Sequence, residues 1–244
     1  MNLIHSRAYK IIKRYVGKAI HRYDMINDGD RILLGLSGGV DSFILLWILN
    51  ERKKRILIDY ELIAVFVDPG FDDQFGKKIE TYCKANEFHL LIDHTDYGLR
   101  AHSTENRENP CFLCSRLRRK RLFEIAAKYG CKKIALGHHK DDIIETLFIN
   151  MCYSGAIGTM VPAQSFFKNE FQIIRPLAFV EQETINRFAK EIGFPVLTNP
   201  CPSANNSKRS EIKKLLTQLY KTNKNIKSNI FNSMSNVNTE YLLI

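Results

Sequence analysis

Three short stretches of this sequence bring together residues able to do chemistry. Cys111 and Cys114 stand three apart in PCFLCSRLRRKR (110–121), and Cys201 sits between two prolines in NPCPS (199–203). A pair at this spacing suits a metal, and in a chain too cysteine-poor for a disulfide scaffold it reads as metal-binding or catalytic. A proline-flanked turn can present a third sulfur. Three sulfurs fall one short of the four ligands of a structural zinc, which would need a histidine such as His102 or a substrate atom to complete it. A redox pair that carries sulfur directly is a second chemistry. A cubane cluster with one iron left open is a third. Cys83, Cys131 and Cys152 lie inside periodic segments and read as core thiols.

The second stretch is SGGVDS (37–42), directly after the apolar run RILLGL. Two glycines let backbone N–H groups turn towards an anion, and the following helix adds the positive end of its dipole, so Ser37, Gly38, Gly39, Asp41 and Ser42 read as a phosphate cradle. It lacks the GK[ST] ending of a Walker A loop and hence a lysine for the terminal phosphates. The bland reading is a glycine turn capped by Ser37 and Asp41. The third stretch is GHHKDD (137–142), at the junction of an apolar run and a helical pattern. His138, His139, Asp141 and Asp142 fall where ligands of open α/β sheets gather, and read as metal ligands, acid–base groups or a helix cap with a satisfied histidine. Asp141 is equally a natural helix cap.

The elements that must position these residues alternate in type. A basic amphipathic helix is expected over 5–23, then strands at 31–37, 60–68, 89–93, 132–138 and 171–177, with helices over 41–54, 72–86, from 110, from 139 and over 181–193. The segments 95–110 and 154–170 read as irregular, and PVLTNPCP (195–202) as a short strand running into a turn. Strand–helix alternation predicts an α/β fold with a doubly wound, mainly parallel sheet and right-handed crossovers. Asp68 then lies at the carboxyl end of the second strand. The expected organisation is a basic N-terminal helix (1–28), an α/β domain (29–205) and a basic helical C-terminal extension (206–244).

The 244 residues are 45% hydrophobic, enough for a real core, and 36 Lys and Arg against 26 Asp and Glu give a net charge of +10, which suits a polyanionic partner. No run is long and apolar enough to span a membrane, and MNLIHSRAYK lacks a signal-peptide core, so a cytoplasmic protein with no membrane partner is expected. Basic residues cluster in the first helix, in RLRRKR and in the tail; a basic run on a helix is usually a solvated face, and contact with the phosphates of a polyanion is the other reading.

SGGVDS resembles the PP-loop of the ATP pyrophosphatases, and PCFLCSRLRRKRLFEIA, IALGHHKDDIIETLFINM, RPLAFV and NIFNSMSNVNTEYLL resemble the corresponding blocks of the TtcA-like tRNA 2-thiocytidine synthetases. The resemblance runs from about residue 30 to the end. It implies an adenine nucleotide alpha hydrolase-like fold with helical N- and C-terminal extensions, and a tRNA sulfurtransferase that adenylates the C2 oxygen of a cytidine, at position 32 of the anticodon loop, and replaces it with sulfur. The implied cofactors are ATP, Mg²⁺ and a [4Fe–4S] cluster held by Cys111, Cys114 and Cys201. Ser37, Gly38, Gly39, Asp41 and Ser42 would bind ATP, with Asp68, Gly137, Asp141, Asp142 and Arg118 nearby. The partners implied are tRNA and a sulfur donor such as a cysteine desulfurase, and a homodimer is compatible with it. The chain departs from the family in carrying no further cysteine shortly after Cys201. The rival readings are another PP-loop enzyme, making 2-thiouridine or lysidine, and a non-catalytic RNA-binding module.

Overall fold

The structure, a computed structural model, describes residues 6–195, 197–204 and 208–241. In chain order the elements are α1 (Arg7–Arg22), β1 (Asp30–Leu36), α2 (Val40–Lys53), β2 (Tyr60–Asp68), α3 (Asp73–Ala85), β3 (Leu90–His94), α4 (Tyr97–Ala101), α5 (Pro110–Lys128), β4 (Lys133–Leu136), α6 (Lys140–Ser154), β5 (Ala163–Phe166), β6 (Phe171–Ile174), α7 (Gln182–Glu191), α8 (Lys208–Thr222) and α9 (Ile226–Ser233). They form two compact units, residues 1–139 with 161–204 and residues 140–160 with 205–244.

The larger unit is built on one six-stranded sheet of order β3-β2-β1-β4-β6-β5. All neighbouring pairs are parallel except β5 with β6, which form an antiparallel hairpin at the edge. Strand residues alternate between two cores, as the two-residue period of a strand requires. Ile32, Leu34 and Leu36 of β1 join one core with α1, α2, α3 and α7, while Leu33 joins the other with Ile125 and Ala126 of α5.

The run FILLWILN of α2 is apolar almost all round, which is stable only if the helix is covered on its outer side as well. α1 and α7 supply that cover. Tyr9 of α1, Trp47 of α2 and Phe188 of α7 meet ring to ring at centroid distances of 5.7, 5.9 and 5.0 Å. α1 itself starts at Ser6, whose Oγ accepts from the Tyr9 N–H at 3.1 Å and donates to Glu191 of α7. Ala8, Ile12 and Ala19 on its inner face are fully buried. The first helix is thus part of the larger unit's core, where the sequence suggested a separate basic segment.

The smaller unit packs Ile144 of α6 against Ile212 and Leu216 of α8, with Phe148, Ile149, Tyr220, Ile230, Phe231 and Met234 around them. Residues 140–160 therefore belong with the C-terminal extension.

Several expectations are corrected. The segment 154–170 contains β5, whose hairpin turn runs through Phe167, Lys168 and Asn169 with φ of 50°, 54° and 71°. Left-handed backbone there would ordinarily advertise itself by glycine, and none is present. α4 forms inside the stretch 95–110. The short strand expected over 195–202 does not form among its described residues; Val196 lies outside them. Cys83 and Cys131 are buried as expected, but Cys152 is exposed.

Because Ile12 of α1 is fully buried in the larger unit's main core, Ile12→Ala should lower unfolding free energy by about 2–5 kcal/mol in a urea melt. A merely appended helix would leave the transition unmoved.

Candidate active site

The strand order reverses between β1 and β4, since the chain runs outward from β1 to β3 and then returns to β1's other side. Ligand crevices of doubly wound sheets open at the carboxyl ends of the strands at this reversal. The segment leaving β1 is Ser37-Gly38-Gly39, and the segment leaving β4 is Gly137-His138-His139.

Gly38 has φ +80°, and a Cβ there would come within 2.3 Å of the Phe75 ring, so both conformation and space demand glycine. Gly39 is the N-cap of α2 and offers no side chain to the first-turn N–H groups, which are left for another acceptor. The loop is fastened to itself. The Ser42 hydroxyl, buried, donates to the Gly39 carbonyl at 2.8 Å and accepts from the Ser37 N–H at 3.2 Å, while Ser37 Oγ accepts from the Gly39 N–H at 3.2 Å. Asp41 lies in the first turn of α2, with Oδ1 3.8 Å from Nε2 of the buried His139. Gly137 lies hard against this turn: a Cβ on it would stand 2.9 Å from the Ser42 backbone and 3.0 Å from that of Asp41.

Asp68 closes β2 with its carboxylate buried. Oδ1 accepts from the Gly70 N–H at 2.9 Å and Oδ2 lies 3.1 Å from His94 Nδ1. Its backbone carbonyl accepts from Thr95 Oγ1 at 2.6 Å. The residue fixes the turn at the carboxyl end of β2, beside the strand that carries the glycine loop.

The cysteines gather in the same unit. α5 begins with Asn109 as N-cap, its side chain accepting from the Phe112 N–H, and Pro110 in the first turn, a strong start signal that places Cys111 and Cys114 one turn apart. As α5 feeds the parallel strand β4, it starts on the carboxyl side of the sheet. Cys201 sits in a tight turn, its N–H donating to Asn199 Oδ1 at 3.0 Å and its carbonyl accepting from the Ala204 N–H at 3.1 Å. Cys111 is exposed, and Cys114 and Cys201 are half-buried. Burial pushes the Cys114 thiol up from its ordinary value; Arg118 opposes this, and the sulfurs of Cys201 and Cys111 add to it. Burial holds the Arg118 guanidinium below its ordinary value, against the pull of Cys114 and Cys201. Cys114 thus lies within electrostatic reach of Cys111, Cys201 and Arg118, and Arg118 within reach of Cys201. Among the described residues no three His, Cys, Asp or Glu side chains are drawn to metal-ligating distance.

His102 is committed elsewhere. Its Nδ1 bonds the Gly98 carbonyl at 2.9 Å and its Nε2 bonds Ser203 Oγ at 2.8 Å. A carbonyl only accepts, so Nδ1 carries the proton and Nε2 accepts from the serine hydroxyl. Both ring nitrogens are spent on pinning the turn that carries Cys201, which counts against a zinc completed by this histidine. Sequence reasoning missed Ser203 as its partner because nothing local links positions so far apart.

The basic run of α5 is divided in use. Arg116 pairs with Glu108 at 3.0 Å, and Arg121 forks onto Asp93 with Nε and Nη2 at 2.8 and 2.7 Å and also holds Glu124.

In the smaller unit, Asp141 and Asp142 open α6 and meet cations of the C-terminal extension. Lys227 Nζ lies 2.8 Å from Asp141, and Arg209 Nη1 lies 2.9 Å from Asp142 and 3.2 Å from the buried Glu145. Arg209 and Lys227 were not singled out from the sequence. The available signal was opposite charge between an acidic helix start and a basic tail.

Comparison with known proteins agrees with this architecture. The model of the PP-loop domain matches residues 8–220. The tRNA-cytidine(32) 2-sulfurtransferase of Geobacter sulfurreducens is 38% identical over all of this chain and 96% of its own length. The enzyme of the same name from Burkholderia multivorans is 37% identical over 98% of this chain and 72% of its own. Among solved structures, the U34-tRNA thiolase NcsA from Methanococcus maripaludis with its [4Fe–4S] cluster superposes with a TM-score of 0.78 at 26% identity, covering 96% of this chain and 80% of that one. With the fold, the glycine loop and full-length identity in agreement, the chain belongs to the PP-loop family and, within it, to the tRNA-cytidine(32) 2-sulfurtransferases.

Proposed function

We propose that this chain is an ATP-dependent tRNA thiolase that activates the C2 oxygen of cytidine 32 with AMP, releasing pyrophosphate, and replaces that oxygen with sulfur. The observation that carries the reading is the glycine loop at the start of α2, where both the φ of Gly38 and its approach to Phe75 demand glycine, in the same unit as Cys111, Cys114 and Cys201. The kinship with tRNA-cytidine(32) 2-sulfurtransferases supports cytidine as target.

The donor set fits the cofactors. Three free thiols in one unit, with Cys114 electrostatically linked to the other two, match in number a three-cysteine [4Fe–4S] cluster, which when bound would supply one iron with an open position for the incoming sulfur. Arg118 lowers the cost of keeping Cys114 as thiolate, the form a metal needs. The open N-terminus of α2 fits the ATP phosphates. The N–H groups of Gly38 and of the first turn of α2 would face the developing charge, and Ser37, which takes the Gly39 N–H, and Ser42 hold the loop in that form before substrate arrives. Asp41 is placed to hold Mg²⁺ against the phosphates, with His139 behind it. Gly137 keeps the floor of the crevice flat, and Asp68 fixes its rim.

The basic faces of α1 and α8 would take tRNA phosphates, which position the RNA without reading its sequence. A target base is reached most easily in a single-stranded loop. A cysteine desulfurase would supply the sulfur, and a homodimer is the proposed assembly.

Cys111→Ala, Cys114→Ala and Cys201→Ala should each lose iron and labile sulfide in anaerobic preparations and abolish 2-thiocytidine in digested tRNA, read by mass spectrometry. Cys152→Ala should keep both. Stoichiometric zinc without labile sulfide would sink the cluster assignment, and 2-thiouridine in place of 2-thiocytidine would sink the target.

Gly38→Ala and Asp41→Ala should lower tRNA-dependent AMP formation at least a hundredfold while iron content stays at the wild-type level. Normal pyrophosphate release from either variant would mean that the phosphates bind elsewhere.

Replacing the exposed Lys213, Lys214, Lys221 and Lys224 by Gln together should weaken tRNA binding and flatten its salt dependence by roughly 0.7–0.9 in log–log slope per lost contact. Filter binding across a salt series decides: superimposable lines for variant and wild type would make the tail ordinary surface.

A further inference from the structure

Arg175 directly follows β6, whose Ile174 pairs with Ala135 of β4. It therefore leaves the sheet at the same end as the glycine loop and Gly137, about one strand spacing of ~4.8 Å from the end of β4. The residue is 6% exposed. Nη1 donates to the Val161 carbonyl at 2.6 Å, and Nε is buried with no acceptor among the described residues. No carboxylate among the described residues pairs with it. The charge acting on it is that of Arg119 on α5, and it repels. Burial first and Arg119 second bring the guanidinium down to about 10, still fully charged at neutral pH.

Other arginines of this chain show what such a group ordinarily does. Arg31 and Arg121 each present Nε and Nη2 as a fork to one carboxylate, Glu61 and Asp93 respectively, although both arginines are far more exposed. Arg175, far more buried than these two, has no such partner among the described residues. A bond to one carbonyl does not explain the charge, because a neutral amide side chain would make it without burying a cation.

We propose that Arg175, flanked by Arg119, is the receiving site for a phosphate group at the carboxyl end of β6. Nη1 stays on Val161, and the edge formed by Nε and Nη2 turns from its buried position to take two phosphate oxygens, a fork geometry that suits phosphate as well as carboxylate. The phosphate comes either from the nucleotide in the crevice or from the RNA backbone beside the target base. Assigning it to one of these rests on the proposed function; the anion site itself does not.

The test uses the full chain with inorganic pyrophosphate as first probe, followed by a non-hydrolysable ATP analogue and unmodified tRNA, each titrated against wild type, Arg175→Gln, Arg175→Lys and Arg119→Gln. Pyrophosphate should raise the wild-type melting temperature, since a ligand of the native state stabilises it by mass action. Arg175→Gln keeps the Val161 contact and should lose at least tenfold in pyrophosphate affinity, Arg175→Lys less, and Arg119→Gln a few-fold. A matching loss for the ATP analogue alone assigns the phosphate to the nucleotide, and for tRNA alone to the RNA backbone. If Arg175→Gln binds all three probes as wild type does, the residue is a plain tie to Val161 and the proposal is overturned, whatever the variant's melting temperature; in that case binding of ATP analogue and tRNA would leave the proposed function standing. Wild-type protein that binds pyrophosphate through Arg175 but neither ATP analogue nor tRNA would sustain the anion site and remove the function. Should Arg175→Gln fail to fold, unchanged pyrophosphate affinity in Arg119→Gln and Arg175→Lys overturns the site.

Discussion

A methyl group on residue 137 would collide with the backbone of Ser42, and the active end of the larger unit follows from that close approach. With no side chain between them, the end of β4 rests directly on the first turn of α2. The helix N-terminus, capped by no side chain of Gly39, is thereby held at the reversal of strand order. The same approach puts His139 next to Asp41, so the carboxylate has a fixed neighbour. The glycine loop alone would be a flexible anion binder. Pressed against β4, it becomes a rigid one, and rigidity is what lets fixed dipoles stabilise charge without reorganising first.

At the cysteines the balance is electrostatic rather than steric. Thiols resist ionisation when buried and when other sulfurs are near, and Cys114 suffers both. Arg118 answers from one turn further along the same helix, and it is itself disfavoured by burial. Each group makes the other's charged form tolerable. The same logic is at work in the smaller unit, where Arg209 spans Asp142 and the buried Glu145 and so ties the C-terminal extension to the start of α6.

Features encoded in a few adjacent residues were legible in the sequence. The glycine loop, the capped start of α5 and the alternation of strands and helices all rest on local signals, and the structure places their bounds within three residues of expectation. Features that depend on distant partners were not. α1 read as a basic appendage because its charged face is conspicuous, whereas its burial is decided by Trp47 and Phe188. The β5–β6 hairpin was hidden by a turn without glycine. Cys152 fitted a helical period, yet the helix turns that face outward. His102 looked like a spare ligand, and only the fold shows that Ser203 uses it. Arg175 drew no notice, since a lone arginine after a strand has no pattern to betray it.

Cys201 lies far downstream of Cys111 and Cys114, beyond β4, the edge hairpin and α7. In a zinc finger all ligands emerge from the ribosome close together and the metal can fold the segment that holds it. Here the first pair waits through the synthesis of half the sheet before its third sulfur exists. The proposed three-cysteine site can assemble only when the scaffold is nearly complete, and the turn bearing Cys201 is then already tethered to α4 by a histidine made long before it. Loading of iron and sulfide would accordingly be a late event in the life of the chain, acting as a checkpoint on a finished fold rather than as its nucleus.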